Sequence, residues 1–381
     1  MSSLLSSPAR ILPTLQTKSF QPYFSSLPIS KNFISLLGTS SSMPKPAAGN
    51  RLFSIMSSAE PPNGLQGSRV KGAESFLRNV LASMEAVYLS RNPTAKSILE
   101  LVRSAHDDTI CYDHIAFRTF GLCLYSVMNK MDGHGIDSLA SFFLDFGYTQ
   151  KEELSFPAKK LKAFWFSPPS ISNAAYDGDG VNGPLPRVFI SQLLVDQMSK
   201  QTQDIIRKYT KCSCNGKKHA ALAGALGSLT WEKPSHSEFE QLTRESEYAA
   251  WTLVNGYALN HVTISTHRLK SHLKDIKSLN LFIEENGYKL NSEGSVLKVS
   301  PDGLLLQSST LADSISFEFS DGITASVPCS YIEFAERLVL PQYKHLPETE
   351  VKEYHRRDGF EVGNADKIFE STSKQQQMAN A

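Results

Sequence analysis

A chain of 381 residues, 41% hydrophobic and 20% charged, has the composition of a globular protein of two or three domains. No apolar run approaches the roughly 20 residues that cross a bilayer, which argues against a transmembrane role. A formal net charge of +1 gives no sign of a nucleic-acid partner, and five cysteines without regular spacing fit a reducing compartment better than a disulfide framework.

The first acidic residue is Glu60, and before it stand Arg10, Lys18, Lys31, Lys45 and Arg51 among many serines, threonines and prolines. Such a basic, hydroxylated, acid-free stretch reads as an organelle transit peptide over 1–58, and its few arginines lean toward the plastid. A disordered extension is the bland alternative. Setting those five charges aside turns the formal +1 into −4. Residues 59–110 are expected to hold a Pro-Gly linker and helices over 73–104, broken near Asn92-Pro93.

The segment Tyr112-Asp113-His114-Ile115-Ala116-Phe117-Arg118-Thr119 opens with an acid and a histidine, then alternates large apolar with smaller or polar residues, the period of a half-buried strand. Leu259-Asn260-His261-Val262-Thr263-Ile264-Ser265-Thr266 repeats the pattern. Downstream, the helical stretch 138–148, ending in Gly147-Tyr148, is echoed by 278–288, ending in Gly287-Tyr288. The chain therefore contains a degenerate internal repeat.

The first module is expected over 111–194, with strands near 161–166 and 187–191, and the second over 259–338, with strands at 296–300, 304–308, 314–319 and 331–337. Helices over 193–209 and 237–253 fill the 195–258 insertion, and 339–381 forms a capping segment. The predicted class is α+β: two degenerate β-α-β-β-β modules forming a curved sheet around a central metal cavity, with added helices. Cys212-Ser213-Cys214 and His219 lack a second ligand pair, so a polar loop is the better reading there than a zinc site.

Residues two apart on a strand share a face, which groups His114, Ala116 and Arg118, and likewise His261, Thr263 and Ser265. Glu333 stands between Ile332 and Phe334, where a carboxylate can face inward from a buried strand. Two histidines and one carboxylate from different strands make the facial triad of non-haem Fe(II). Against this stands the bland reading of satisfied core histidines and a surface glutamate, weakened because equivalent positions in two modules retain the histidine. The other histidines lack a repeat partner and read as surface or structural, and Glu336 and Arg337 as structural ion pairs.

The stretches 113–119, 260–263, 307–310 and 331–337 resemble those of the DUF1338 family, in order and spacing, within a likeness over about residues 75–375. That family includes a 2-oxoadipate dioxygenase/decarboxylase of lysine breakdown, with plant homologues that carry plastid leaders. The resemblance implies a vicinal-oxygen-chelate-like fold, distantly similar to hydroxymandelate synthase and hydroxyphenylpyruvate dioxygenase. It places Fe(II) on His114, His261 and Glu333, and a substrate-binding, catalytic arginine on Arg118. The implied reaction takes 2-oxoadipate and O2 to 2-hydroxyglutarate and CO2.

Gln307 is expected to hydrogen-bond a ligand or bound oxygen, with a solvent-facing edge amide as its alternative. The stretch 356–371 also resembles the family's, which implies a loop into a helix that covers the metal, with Val362 and Gly363 offering backbone donors to the substrate. A plain packing helix competes with that role. Two rival functions remain: a non-catalytic plastid interaction protein on the same scaffold, and a dioxygenase for an aromatic 2-oxo acid or a catechol, which Arg118 disfavours.

Overall fold

Pro93 decides how the chain enters the fold. In a computed structural model that describes residues 63–106, 108–122, 134–169, 178–211 and 219–373, helix α1 (Asn63–Arg91) stops at Asn92, and α2 (Pro93–His106) starts on the proline. Proline suits a first helical position, where no N–H is needed, and disfavours helical backbone in the residue before it. The expected leader 1–58 and the Cys212-Ser213-Cys214 loop lie outside the described residues.

The first module runs β1 (Tyr112–Gly121), α3 (Gly135–Asp145), β2 (Thr149–Phe156), β3 (Leu161–Ser167) and β4 (Arg187–Leu194). Helices α4 (Lys200–Lys211), α5 (His219–Leu226), α6 (His236–Glu245) and α7 (Glu247–Asn255) follow. The second module is β5 (Leu259–Ser265), α8 (Ile276–Glu285), β6 (Lys298–Val299), β7 (Leu305–Ser309), β8 (Ser314–Glu318), β9 (Thr324–Pro328) and β10 (Tyr331–Arg337). A short helix α9 (Val362–Ile368) lies near the C-terminus. Both module helices end on a left-handed glycine, Gly147 at φ +85° and Gly287 at φ +87°, as their shared Gly-Tyr ending predicts.

Eight strands form one sheet in the order β2-β3-β4-β1-β5-β10-β7-β6. Matched by place in their modules, the two halves mirror each other about the antiparallel β1–β5 pair, which is the vicinal-oxygen-chelate arrangement. On the side away from the histidines, Ile115, Phe117, Val262, Ile264, Ile332 and Phe334 are buried in the hydrophobic core, and α1, α2, α3 and α8 pack on these strands. Burying each such large side chain stabilises by about 1.5–3 kcal/mol.

Three expectations are corrected, and one strand, β2, was not foreseen. Leu193 and Leu194 belong to β4, and α4 begins only at Lys200. The single helix over 237–253 is two, because the Ser246 hydroxyl accepts from the Ala249 amide and starts α7 anew. Strand β2 is so polar and exposed that no apolar alternation marks it, as befits a sheet edge. Residues 314–319 do not join the curved sheet: β8 pairs with β9 in a separate hairpin.

Candidate metal centre

Strand register brings the three sequence-selected side chains together. Ala116 of β1 and Tyr331 of β10 both pair with His261, while Thr263 pairs with both His114 and Glu333. His114, His261 and Glu333 are buried, and one ligand atom from each lies within 4.8 Å of the others. The two Nε2 atoms are 3.2 Å apart. Glu333 Oε1 is 3.7 Å from His114 Nε2, and Oε2 is 3.2 Å from His261 Nε2.

Each histidine is oriented by the residue before it. Asp113 Oδ1 lies 2.8 Å from His114 Nδ1, and Asn260 Oδ1 lies 3.1 Å from His261 Nδ1. These oxygens accept hydrogen bonds, so the proton sits on Nδ1 and each Nε2 presents a lone pair to the centre. Burial opposes charge on both rings. Even so, Glu333 and Asp113 lift the His114 pKa above its ordinary value, while burial, and after it the nearness of His114 and Arg118 to any second positive charge, holds His261 well below.

Two lone pairs and a carboxylate converging without a cation is an unfavourable arrangement in a buried site. A cation relieves it: donors about 2.1 Å from an ion and at right angles lie about 3.0 Å apart, close to the spacing found here. The residues fit a metal ion, and two nitrogens with one carboxylate suit a transition metal better than calcium or magnesium.

A further ring of contacts holds these ligands. Arg337 donates to both Asp113 oxygens, from Nε at 2.6 Å and Nη2 at 2.9 Å, and Arg187 approaches Asp113 at 3.5 Å. Burial would raise the Asp113 pKa, but Arg337 and Arg187 hold it well below the usual carboxylate range. Gln307 Nε2 donates to Glu333 Oε1 at 2.7 Å, and its own Oε1 accepts from Asn364 Nδ2 at 3.0 Å. Gln307 is thus buried against the carboxylate, with no edge exposed to solvent. Gln307→Ala is expected to weaken metal binding by about 10- to 100-fold in a chelator-competition titration, and unchanged affinity would refute that tuning role.

Arg118 follows His114 on the same face of β1 and is 2% exposed. Its Nη1 donates to Thr372 Oγ1 at 3.1 Å and its Nη2 to the Phe369 carbonyl at 3.4 Å, while Nε has no partner. The rings of Tyr248, Trp251 and Phe369 surround the guanidinium at 5.1, 4.9 and 5.7 Å. Among the described residues no carboxylate pairs with it, and burial lowers its pKa. A structural ion pair at Arg118 is therefore not what the fold provides.

The triad, Tyr331 and the C-terminal residues Phe360, Ala365, Ile368 and Phe369 enclose a narrow cavity of about 20 Å³. A larger cavity of about 230 Å³ reaches Arg118 from the surface, and Phe369 borders both. The segment around α9 therefore does cover the triad. Val362 and Gly363 are not brought to it: both are exposed, and the Gly363 amide points to the Glu361 carboxylate, which caps the helix. Residues lying further along the segment do the covering.

Sequence reasoning passed over Asp113, Tyr331 and Phe189, while Arg337, read as a structural ion pair, does form one with Asp113. The Asp113-His114 and Asn260-His261 dipeptides held a signal for the first, since both precede a strand histidine with a side-chain acceptor. Phe189 is visible only in the fold. It pairs with Ala116 as Glu333 pairs with Thr263, so it occupies the place in the first module that Glu333 occupies in the second. With that fourth place apolar, the candidate centre offers three ligands and not four.

Comparison with known proteins agrees with this architecture. Residues 80–349 match the family described as 2-oxoadipate dioxygenase/decarboxylase. A chloroplastic 2-oxoadipate dioxygenase/decarboxylase of Arabidopsis thaliana is 69% identical over 338 residues, covering 87% of this chain and 88% of that protein. A chloroplastic/amyloplastic counterpart from Oryza sativa subsp. japonica is 65% identical over 326 residues, 86% of each chain. The crystal structure of the hydroxyglutarate synthase from Oryza sativa, in complex with 2-oxoadipate, superposes with a TM-score of 0.77 at 64% identity, covering 87% of this chain and 100% of that one. Matched over such lengths and at such identities, the chain belongs to the 2-oxoadipate dioxygenase/decarboxylase family.

Proposed function

We propose that this protein is a plastid Fe(II)-dependent dioxygenase/decarboxylase that converts 2-oxoadipate and O2 to 2-hydroxyglutarate and CO2, a step of lysine catabolism. The overall reaction balances: one carbon leaves as CO2, and both atoms of O2 are retained between the two products. The observation that carries the reading is Arg118, a buried guanidinium with an unmet donor and no carboxylate among the described residues, on the same strand face as His114. Such a residue wants a diacid's second carboxylate.

Held by His114, His261 and Glu333, Fe(II) supplies the open positions at which a 2-oxo acid and dioxygen can meet. The protein's own groups do the rest. Asp113 and Asn260 keep the Nδ1 protons in place, so both Nε2 lone pairs stay aimed at the centre. Gln307 fixes the Glu333 carboxylate. Arg118 sets the far end of the substrate, and the aromatic walls of Phe189, Phe360 and Phe369 keep water from the reacting end. Residues 1–58 would serve as the plastid leader, which a fluorescent fusion of that stretch tests by its location.

The direct test is oxygen uptake by the chain lacking residues 1–58, loaded anaerobically with Fe(II) and given 2-oxoadipate. Stoichiometric consumption with release of CO2 is expected, and no uptake with iron bound would overturn the proposal. Arg118→Lys should lower kcat/KM for 2-oxoadipate by about 100-fold while leaving iron content intact, because an ammonium cannot reproduce the planar fork. Loss of iron in that variant would remove Arg118 from the substrate site.

A further inference from the structure

We propose that the Tyr331 hydroxyl is a second donor to the distal carboxylate of the substrate, acting beside Arg118 and helping to make the site selective for diacids. The proposal rests on the 2-oxoadipate reading above and deepens it.

Three observations lead there. Tyr331 is 1% exposed and lines the same cavity as the triad, yet its hydroxyl has no hydrogen-bond partner. Its position is over-determined: the ring stacks on His261 at 4.7 Å and 27°, its carbonyl accepts from the Tyr88 hydroxyl at 2.6 Å, and its strand pairs with His261. A phenol held this firmly with nothing to bond is aimed at something the protein itself does not provide.

The second unmet donor nearby is Arg118 Nε. Arg118 and Tyr331 lie close enough to interact, but not in the geometry of a hydrogen bond, so Arg118 Nε and the Tyr331 hydroxyl both stay open to a further partner. Two adjacent buried donors, one cationic and one neutral, are both satisfied by a single acceptor with two oxygens and a negative charge. A carboxylate has that form. A methyl group in its place would leave both donors unpaired, and penalties of that kind separate diacids from monoacids more sharply than cavity size does.

The test compares anaerobic binding of 2-oxoadipate and of 2-oxohexanoate, which lacks the second carboxylate, to the Fe(II)-loaded protein by calorimetry. Tyr331→Phe should weaken 2-oxoadipate by about 10- to 100-fold and 2-oxohexanoate by less than about threefold, with iron content unchanged. In an Arg118→Met background, Tyr331→Phe should cost less than about threefold more, because both side chains serve one group. Its melting temperature should be no lower than that of the wild type, since the hydroxyl removed has no partner in the fold.

An equal loss for both ligands, or a lowered melting temperature, would assign the hydroxyl to packing around His261 and overturn the inference. Unchanged 2-oxoadipate binding in Tyr331→Phe, beside a wild type that prefers the diacid, would overturn it alone. A wild type indifferent to the second carboxylate would overturn the proposed substrate as well.

Discussion

Replacing Glu333 with alanine is expected to remove the metal and, with it, turnover. Losing an outer partner of a ligand costs about 10- to 100-fold in metal affinity, so losing the only carboxylate of a three-ligand site costs more than about 100-fold. Two neutral imidazoles would remain, with Nε2 atoms 3.2 Å apart, and nothing would offset the ion's charge. Gln307 would also lose the acceptor it holds at 2.7 Å. His261→Ala should behave alike. The measurement is metal content per chain after anaerobic loading and desalting, set beside oxygen uptake with 2-oxoadipate. Stoichiometric iron in both variants would sink the triad.

Arg337→Met is expected to cost about 3–5 kcal/mol of stability, the usual penalty for stranding one member of a buried ion pair. Asp113 and Arg337 are both fully buried, and Arg337 also donates to the Arg357 and Gly359 carbonyls at 3.1 and 2.8 Å. Those bonds anchor the chain just before Phe360, whose ring sits edge-on against His114 at 4.8 Å. One substitution therefore strands a charge, loosens the covering segment and frees the group that orients a ligand. Denaturant unfolding measures the first effect, and metal affinity the last.

The pH dependence has a definite sign. Asp113 has a depressed pKa in the folded protein, so its pair stabilises fully above the unfolded carboxylate value of about 4 and is lost as pH falls through the folded value. In Arg337→Met the folded pKa rises, so acid unfolding should begin at higher pH than in the wild type. The double variant Asp113→Leu/Arg337→Met should recover stability, because no buried charge is left alone, yet keep the weakened metal affinity, because His114 still lacks its carboxylate. Recovery of both would show that Asp113 serves the fold alone.

Much of the site was legible from residues 112–119 and 259–266. Strand periodicity is a local property: alternation marks the buried face, and a histidine repeated at one phase of it in two modules stands out from packing. The same logic failed for β2, where an exposed edge has no buried face to mark. It also failed at Ser246, where one hydroxyl cap divides a continuous helical pattern, and at β8, whose alternation suits a hairpin as well as a central strand. Gly363 lay beyond it too, since a Gly-containing helix start reads the same whether its amide meets a ligand or the neighbouring Glu361.

The ligand identities and their common face were present in the linear order, because each depends on residues two or four places apart. Whether those ligands form a site depended on β1 and β5 lying antiparallel at the centre of the sheet, with β10 beside β5. The partner of Asp113 is 224 residues away, Gln307 joins Glu333 and Asn364 across two elements, and Phe189 closes the fourth ligand position. No local pattern encodes such contacts; they arise when the twin modules close on each other. The same closure buries Arg118 and Tyr331 with donors still unmet, and the proposed recognition of a diacid rests on that tertiary arrangement.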